Sequence, residues 1–247
     1  MIKSSKSSIF NPVGYSKLLT GGFATYAFIF TMTTLVGYSA SIFDNIFSGI
    51  FLGEDAIAAI GLVAPLNVGI TGLTLMLPTG ATVISAHALG KKDTKLFQQI
   101  FSLSLVASTI LGILCSLIVF FGAEFFAGLF CSSSDPAMTQ IYSYTVQYLR
   151  IYSVCALLYS FANNFIGISR IDSNPKLSLY CAVALPGSNL IFKFIFIQLG
   201  WGMQGIAFSS CLAYLVIVLL SLSHFFRKNN HFKFILPREN VFKNLLR

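Results

Sequence analysis

Asp44, Lys193 and Arg150 are ionisable side chains set inside long apolar stretches, and that placement limits what they can do. An unpaired charge in hydrocarbon costs several kcal/mol, so each must find a counter-ion, reach water or take part in moving an ion. Their depths follow from counting away from the turn signals at 1.5 Å per residue. Asp44 precedes Gly53 by nine residues, about 13 Å; Lys193 precedes Gly200 by seven, about 10 Å. Asn189 is one turn deeper, at about 16 Å, and Ser210 follows Gly202 by eight residues, about 12 Å. An acid, a base, an amide and a hydroxyl from three separate stretches thus share one depth. Asn189 and Lys193 also stand at i and i+4, on one helix face. The predicted chemistry is a polar cluster in which Asp44 is ionised and paired with Lys193. Two other arrangements meet the same constraint. Lys193 can extend its stem outward until the ammonium reaches water, with Asp44 facing a water-filled vestibule, or Arg150 can replace it as the partner. Arg150 also reads as an interfacial anchor beside Tyr148 and Tyr152.

What must position these groups is a set of helices that cross a membrane. The 247 residues are 55% hydrophobic and 10% charged, with a mean hydropathy of +0.79, whereas a soluble domain carries about 25% charged residues. Apart from Arg150 and Lys193, the Lys and Arg residues fall in four places: Lys3, Lys6 and Lys17; Lys91, Lys92 and Lys95; Arg170 and Lys176; and the tail from Arg227 to Arg247. Glu54, Asp55, Glu124 and Asp135 occupy the intervening turns, which hold no Lys or Arg. This alternation is the positive-inside pattern. It predicts six spans, with both termini in the cytoplasm of a bacterial-type inner membrane. The fold class is all-α, a polytopic six-helix bundle, because backbone groups in lipid must be satisfied within their own segment. The expected segments are a cytoplasmic stretch 1–17, a transmembrane lobe 18–226, and a basic tail 227–247 lying against anionic headgroups. The spans are read as 18–43, 56–90, 96–122, 141–167, 176–199, and 202 to about 226. Residues 123–139 are expected to be an outer connection. Pro65 and Pro78 predict a bent or partly unwound second span, and Gly200, Gly202 and Gly205 a tight outer turn.

The remaining polar residues are read more plainly. His87, near the inner end of span two, is a candidate proton relay or, more simply, a helix-packing residue. Asn163 and Asn164 are candidates for bonds across helices, with substrate contact at Asn163 as the alternative. Cys115, Cys131, Cys155, Cys181 and Cys211 are spread singly, without metal or redox spacing, and are assigned no function. No metal or organic cofactor is expected. The net charge of +8 does not point to nucleic acid, because the basic residues sit on one membrane side rather than on a soluble aromatic-basic surface. HExxH, GxSxG and P-loop motifs are missing from the sequence, so the reading is of a non-enzyme.

At these residues the chain resembles the N-terminal half of a multidrug and toxic compound extrusion (MATE) transporter. Ile42-Phe43-Asp44-Asn45-Ile46-Phe47-Ser48-Gly49, followed by Leu52-Gly53-Glu54-Asp55-Ala56-Ile57-Ala58-Ala59-Ile60-Gly61, is similar to that family's V-D-T-I-F-V-G and L-G-x-x-A-L-A-A-x-G. Gly80, Ser85 and Gly90 match G-x-x-x-x-x-S-x-x-x-G in outline. Arg170-Ile171-Asp172-Ser173-Asn174-Pro175-Lys176 resembles R-x-D-G-x-P-K with Ser173 at the glycine, and Gly202-Met203-Gln204-Gly205-Ile206-Ala207-Phe208-Ser209-Ser210 resembles G-x-x-G-A-A-x-A-T. The resemblance implies a six-helix lobe that pairs with a second lobe around a cleft. It also implies export of small cationic or amphipathic compounds coupled to sodium or proton entry. In the N-lobe cation site it implies Asp44, Asn189 and Ser210.

Two departures bear on mechanism. Where the family carries Asp or Asn four residues after the span-five asparagine, this chain has Lys193, whose ammonium takes a cation's place and argues against sodium. The family's proline early in span one is also missing, leaving Gly21-Gly22 as the local source of flexibility. One lobe cannot form a cleft between two, so a homodimer or a partner chain is expected to complete it. The rival expectations are a truncated, non-transporting lobe or regulatory membrane subunit, and a lipid-handling membrane protein of related architecture.

Overall fold

A computed structural model describes residues 16–131, 136–171 and 175–225, as six helices and their turns. They are α1 (Ser16–Leu52), α2 (Glu54–Gly90), α3 (Thr94–Phe130), α4 (Pro136–Ile171), α5 (Pro175–Gln198) and α6 (Gly202–Phe225), with no strand among the described residues. Helices α2 to α6 are long and apolar enough to cross a membrane, and the uncharged first stretch, 18–43, lies within α1. The chain is a multi-pass membrane protein. Most of the N-terminal segment, the basic tail and the Asp172-Ser173-Asn174 part of the resemblance fall outside the described residues.

The turns follow from local chemistry. Gly53, Gly200 and Gly202 all adopt positive φ, at 86°, 74° and 54°, a region that a side chain disfavours. Between α2 and α3 the loop is shorter than the basic run suggested. Asp93 caps α3 by accepting a hydrogen bond from the Leu96 amide at 3.0 Å, which brings Lys95 into the helix. Two further expectations are refined. Pro65 and Pro78 sit inside α2, which runs unbroken from Glu54 to Gly90 rather than partly unwound; Thr74 and Thr82 add hydroxyl bonds to the carbonyls of Ile70 and Pro78 in this stretch, the kind of local support that lets lipid-crossing helices tolerate proline. The outer connection is also shorter, because α3 continues to Phe130 and α4 begins at Pro136. Ala123 and Ala127 explain the extension: both are fully buried, in one cluster with Ala56, Ala59 and Ala207.

Helix α4 is the centre of the bundle, packed against α2, α3, α5 and α6, whereas α1 lies mainly along α5. The α3–α4 approach is close because the facing residues are small. A Cβ at Gly112 would meet the Leu157 Cα and the Ser160 Cβ, each at 3.1 Å.

Candidate functional site

Lys193 is the one charged side chain among the fully buried residues described, at 0% exposure. It is not free; it has an interacting partner. Burial of the whole side chain excludes an ammonium stretched outward along the lipid face. Asn189, one turn earlier on α5, is also buried, and Oγ of Ser209 on α6 donates to its Oδ1 at 2.9 Å. The same hydroxyl lies 2.7 Å from the Ile206 carbonyl. A hydroxyl has one proton, so the two oxygens share it. Ser210 is buried beside this pair, but its bond runs back to the Ile206 carbonyl at 3.4 Å. The hydroxyl in contact with Asn189 is therefore that of Ser209, which the motif comparison passed over. Gly205 carried the signal: a Cβ there would meet the Phe196 Cβ of α5 at 2.8 Å, and Ser209 follows at i+4 on that face.

The Asp44 side chain lies outside the described residues. Its helix does not: α1 packs principally on α5, the helix that carries Lys193 and Asn189.

Arg150 is placed elsewhere. Its Nη2 pairs with Oε1 of Glu124 at 2.5 Å, with both side chains about half exposed or more; Tyr148 and Tyr152 stack on one another, and Tyr148 is buried. Glu124 belongs to α3 rather than to an outer turn. Asn163 donates to the Tyr159 carbonyl of its own helix at 2.8 Å. Asn164 is the residue that bonds across helices, accepting from Ser104 of α3 at 2.5 Å. His87 is exposed in the last turn of α2 and is not a packing residue. No group of His, Cys, Asp and Glu residues with metal-binding geometry occurs among the described residues.

A cavity of about 20 Å³, room for one water-sized molecule, lies where α2, α3, α4 and α6 meet. Asn67, Thr71, Ser153, Tyr159 and Tyr214 give it polar lining, and the Asn67 Oδ1 is buried with no hydrogen-bond partner among the described residues.

Comparisons with known proteins bear on the fold and the family. No curated protein matches the sequence. Among solved structures, the fold is similar to an outward-facing multidrug resistance MATE family transporter of the MOP superfamily (24% identity, TM-score 0.75), over 88% of this chain and 50% of that one. It is also similar to a MOP superfamily transporter from Pyrococcus furiosus described as having a binding pocket of reverse polarity (24% identity, TM-score 0.74), over 88% and 49%, and to a MATE in a straight conformation (25% identity, TM-score 0.72), over 88% and 50%. The chain thus spans about half the length of the structures it matches. The MatE family model matches residues 28–195, from the middle of α1 to just past Lys193. With that match over most of its length and the fold it shares, the chain belongs to the MatE family.

Proposed function

We propose that this six-helix lobe serves cation-coupled export of small cationic or amphipathic compounds, together with a second lobe that completes the cleft. The lobe pair works in the inner membrane, with residues 1–17 and 227–247 on the cytoplasmic side. In support, the chain spans about half the length of the structures it resembles. The proposed role is that of a transporter, not an enzyme.

The observation that carries the mechanism is the complete burial of Lys193 beside Asn189. A buried ammonium needs a counter-charge and hydrogen-bond acceptors. Asp44 is our proposed counter-charge. It stands on α1, the helix that lies mainly along α5. Asn189, Ser209 and Ser210 complete the polar surroundings. In this arrangement Lys193 holds the position of the coupling cation, so the lobe has no need of sodium and responds, if to any ion, to protons. Arg150 and Asn163, engaged with Glu124 and with the α4 backbone, serve anchoring and helix geometry rather than substrate contact.

Thermal stability in lipid nanodiscs tests this reading directly. The wild type should melt at the same temperature in sodium and in choline, whereas Lys193→Asp should gain a sodium-dependent rise. A clear sodium shift in the wild type would sink the proposal. Asp44→Asn should destabilise the bundle by stranding Lys193. The particle mass across concentrations tests the second lobe: a stable dimer makes a cleft available from this chain alone, and a monomer throughout refutes assembly from copies.

A further inference from the structure

Cys155 on α4 and Cys211 on α6 are 56 residues apart in sequence, and their sulfurs are 3.0 Å apart in the bundle. Both are buried, at 2% and 9% exposure. The Cys211 thiol also lies 3.3 Å from the Ile151 carbonyl, to which it can donate. Two thiols so placed are nearer than ordinary packing brings sulfur atoms, and a closure of about 1 Å separates them from a covalent bond. Cys155 also lines the water-sized cavity, beside Tyr159 and Tyr214. Neither residue has a part in the cluster around Lys193.

We propose that Cys155 and Cys211 are a modification site: a small hydroperoxide entering the cavity oxidises them to a reversible disulfide that ties α4 to α6. Hydrogen peroxide first converts the Cys155 thiol to a sulfenic acid, transferring one oxygen and releasing water. The Cys211 sulfur then attacks the Cys155 sulfur. The S–S bond forms as the S–O bond breaks, and the departing hydroxide takes the Cys211 proton as a second water. Two thiols and one peroxide yield one disulfide and two waters, with the two electrons passing from sulfur to peroxide oxygen. The tie falls two residues from Ser209, so it anchors to α4 the part of α6 that meets Asn189. Cys115, Cys131 and Cys181 have no cysteine partner in contact among the described residues and serve as internal controls.

The test is mass spectrometry of the full chain in nanodiscs after treatment with dilute hydrogen peroxide, blocking of free thiols and proteolysis. The expected product is a Cys155–Cys211 linked peptide that disappears on reduction, with the other three cysteines still alkylated. The oxidised protein should melt about 5 °C or more above the reduced one, because the link closes a long loop. In Cys211→Ser, the sulfenic acid on Cys155 has no resolving thiol and should be trapped by dimedone, a label absent from the wild type. The proposal is overturned if, after peroxide treatment of the folded wild type, all five thiols are alkylated on unfolding, if links join other cysteine pairs, or if Cys155 is over-oxidised without a link.

Discussion

Between α3 and α4, Ser104 donates to Asn164, Asn164 donates back to the Ser160 carbonyl, and Ser160 reaches the Ser108 carbonyl across the seam. Between α5 and α6, Ser209 donates to Asn189, one turn from a wholly buried Lys193. Both seams bury a serine–asparagine bond, yet only the second contains a charge. The first closes on itself: its polar groups find partners in one another and in the local backbone, the usual use of such residues in helix–helix contact. A neutral ladder cannot neutralise an ammonium, so the second seam needs an anion from elsewhere. The difference separates polar residues that hold helices together from those that prepare a site.

Substitutions at four places sharpen or break that contrast, and the largest effect belongs to the charge. Lys193→Met should lower stability by about 3–5 kcal/mol if it leaves a buried carboxylate uncompensated. The double variant Asp44→Asn with Lys193→Met should recover most of the loss, and a thermal-melt cycle that shows no coupling separates the two residues. Gly112→Val comes next, at about 1–3 kcal/mol, because the new methyl groups meet the α4 backbone at Leu157 rather than a flexible side-chain end. Third, Ser209→Ala should cost about 0.6–1.7 kcal/mol and exceed Ser210→Ala, whose hydroxyl makes only a long bond within its own helix; equal losses would erase the distinction drawn between the two serines. Arg150→Ala is the smallest, at about 0.2–1 kcal/mol and weaker in high salt, since its partner Glu124 is largely exposed.

Much of this architecture was legible from charge and hydropathy. Six helices, their order and the turns at Gly53, Lys91 and Gly200 follow from where lipid forbids charge and where glycine relieves the backbone. What stayed hidden depended on which face of a helix meets which neighbour. Ser104 and Ser108 lie two turns and one turn before Gly112, and Ala156 and Ser160 lie opposite, but a stripe of small residues does not announce its partner helix. Adjacent serines at 209 and 210 differ by about 100° around the helix, so only the packing of Gly205 against Phe196 decides between them. The Cys155–Cys211 contact joins positions that no spacing rule connects. Helix ends moved for a related reason: Ala123 and Ala127 are too small to look like a membrane core in sequence, yet they extend α3 because α4 has room for them.

The packing of α1 along α5 sets a schedule for biogenesis. Chains emerge from the ribosome at about 5–20 residues per second, so on the order of 10 s passes between completion of α1 and the arrival of α5 in the bilayer. During that interval α2, α3 and α4 can already assemble through their small-residue faces, while α1, with an aspartate in its second half, waits without its main neighbour. With the proposed pairing of Asp44 and Lys193, that aspartate waits for its counter-charge until α5 enters the bilayer.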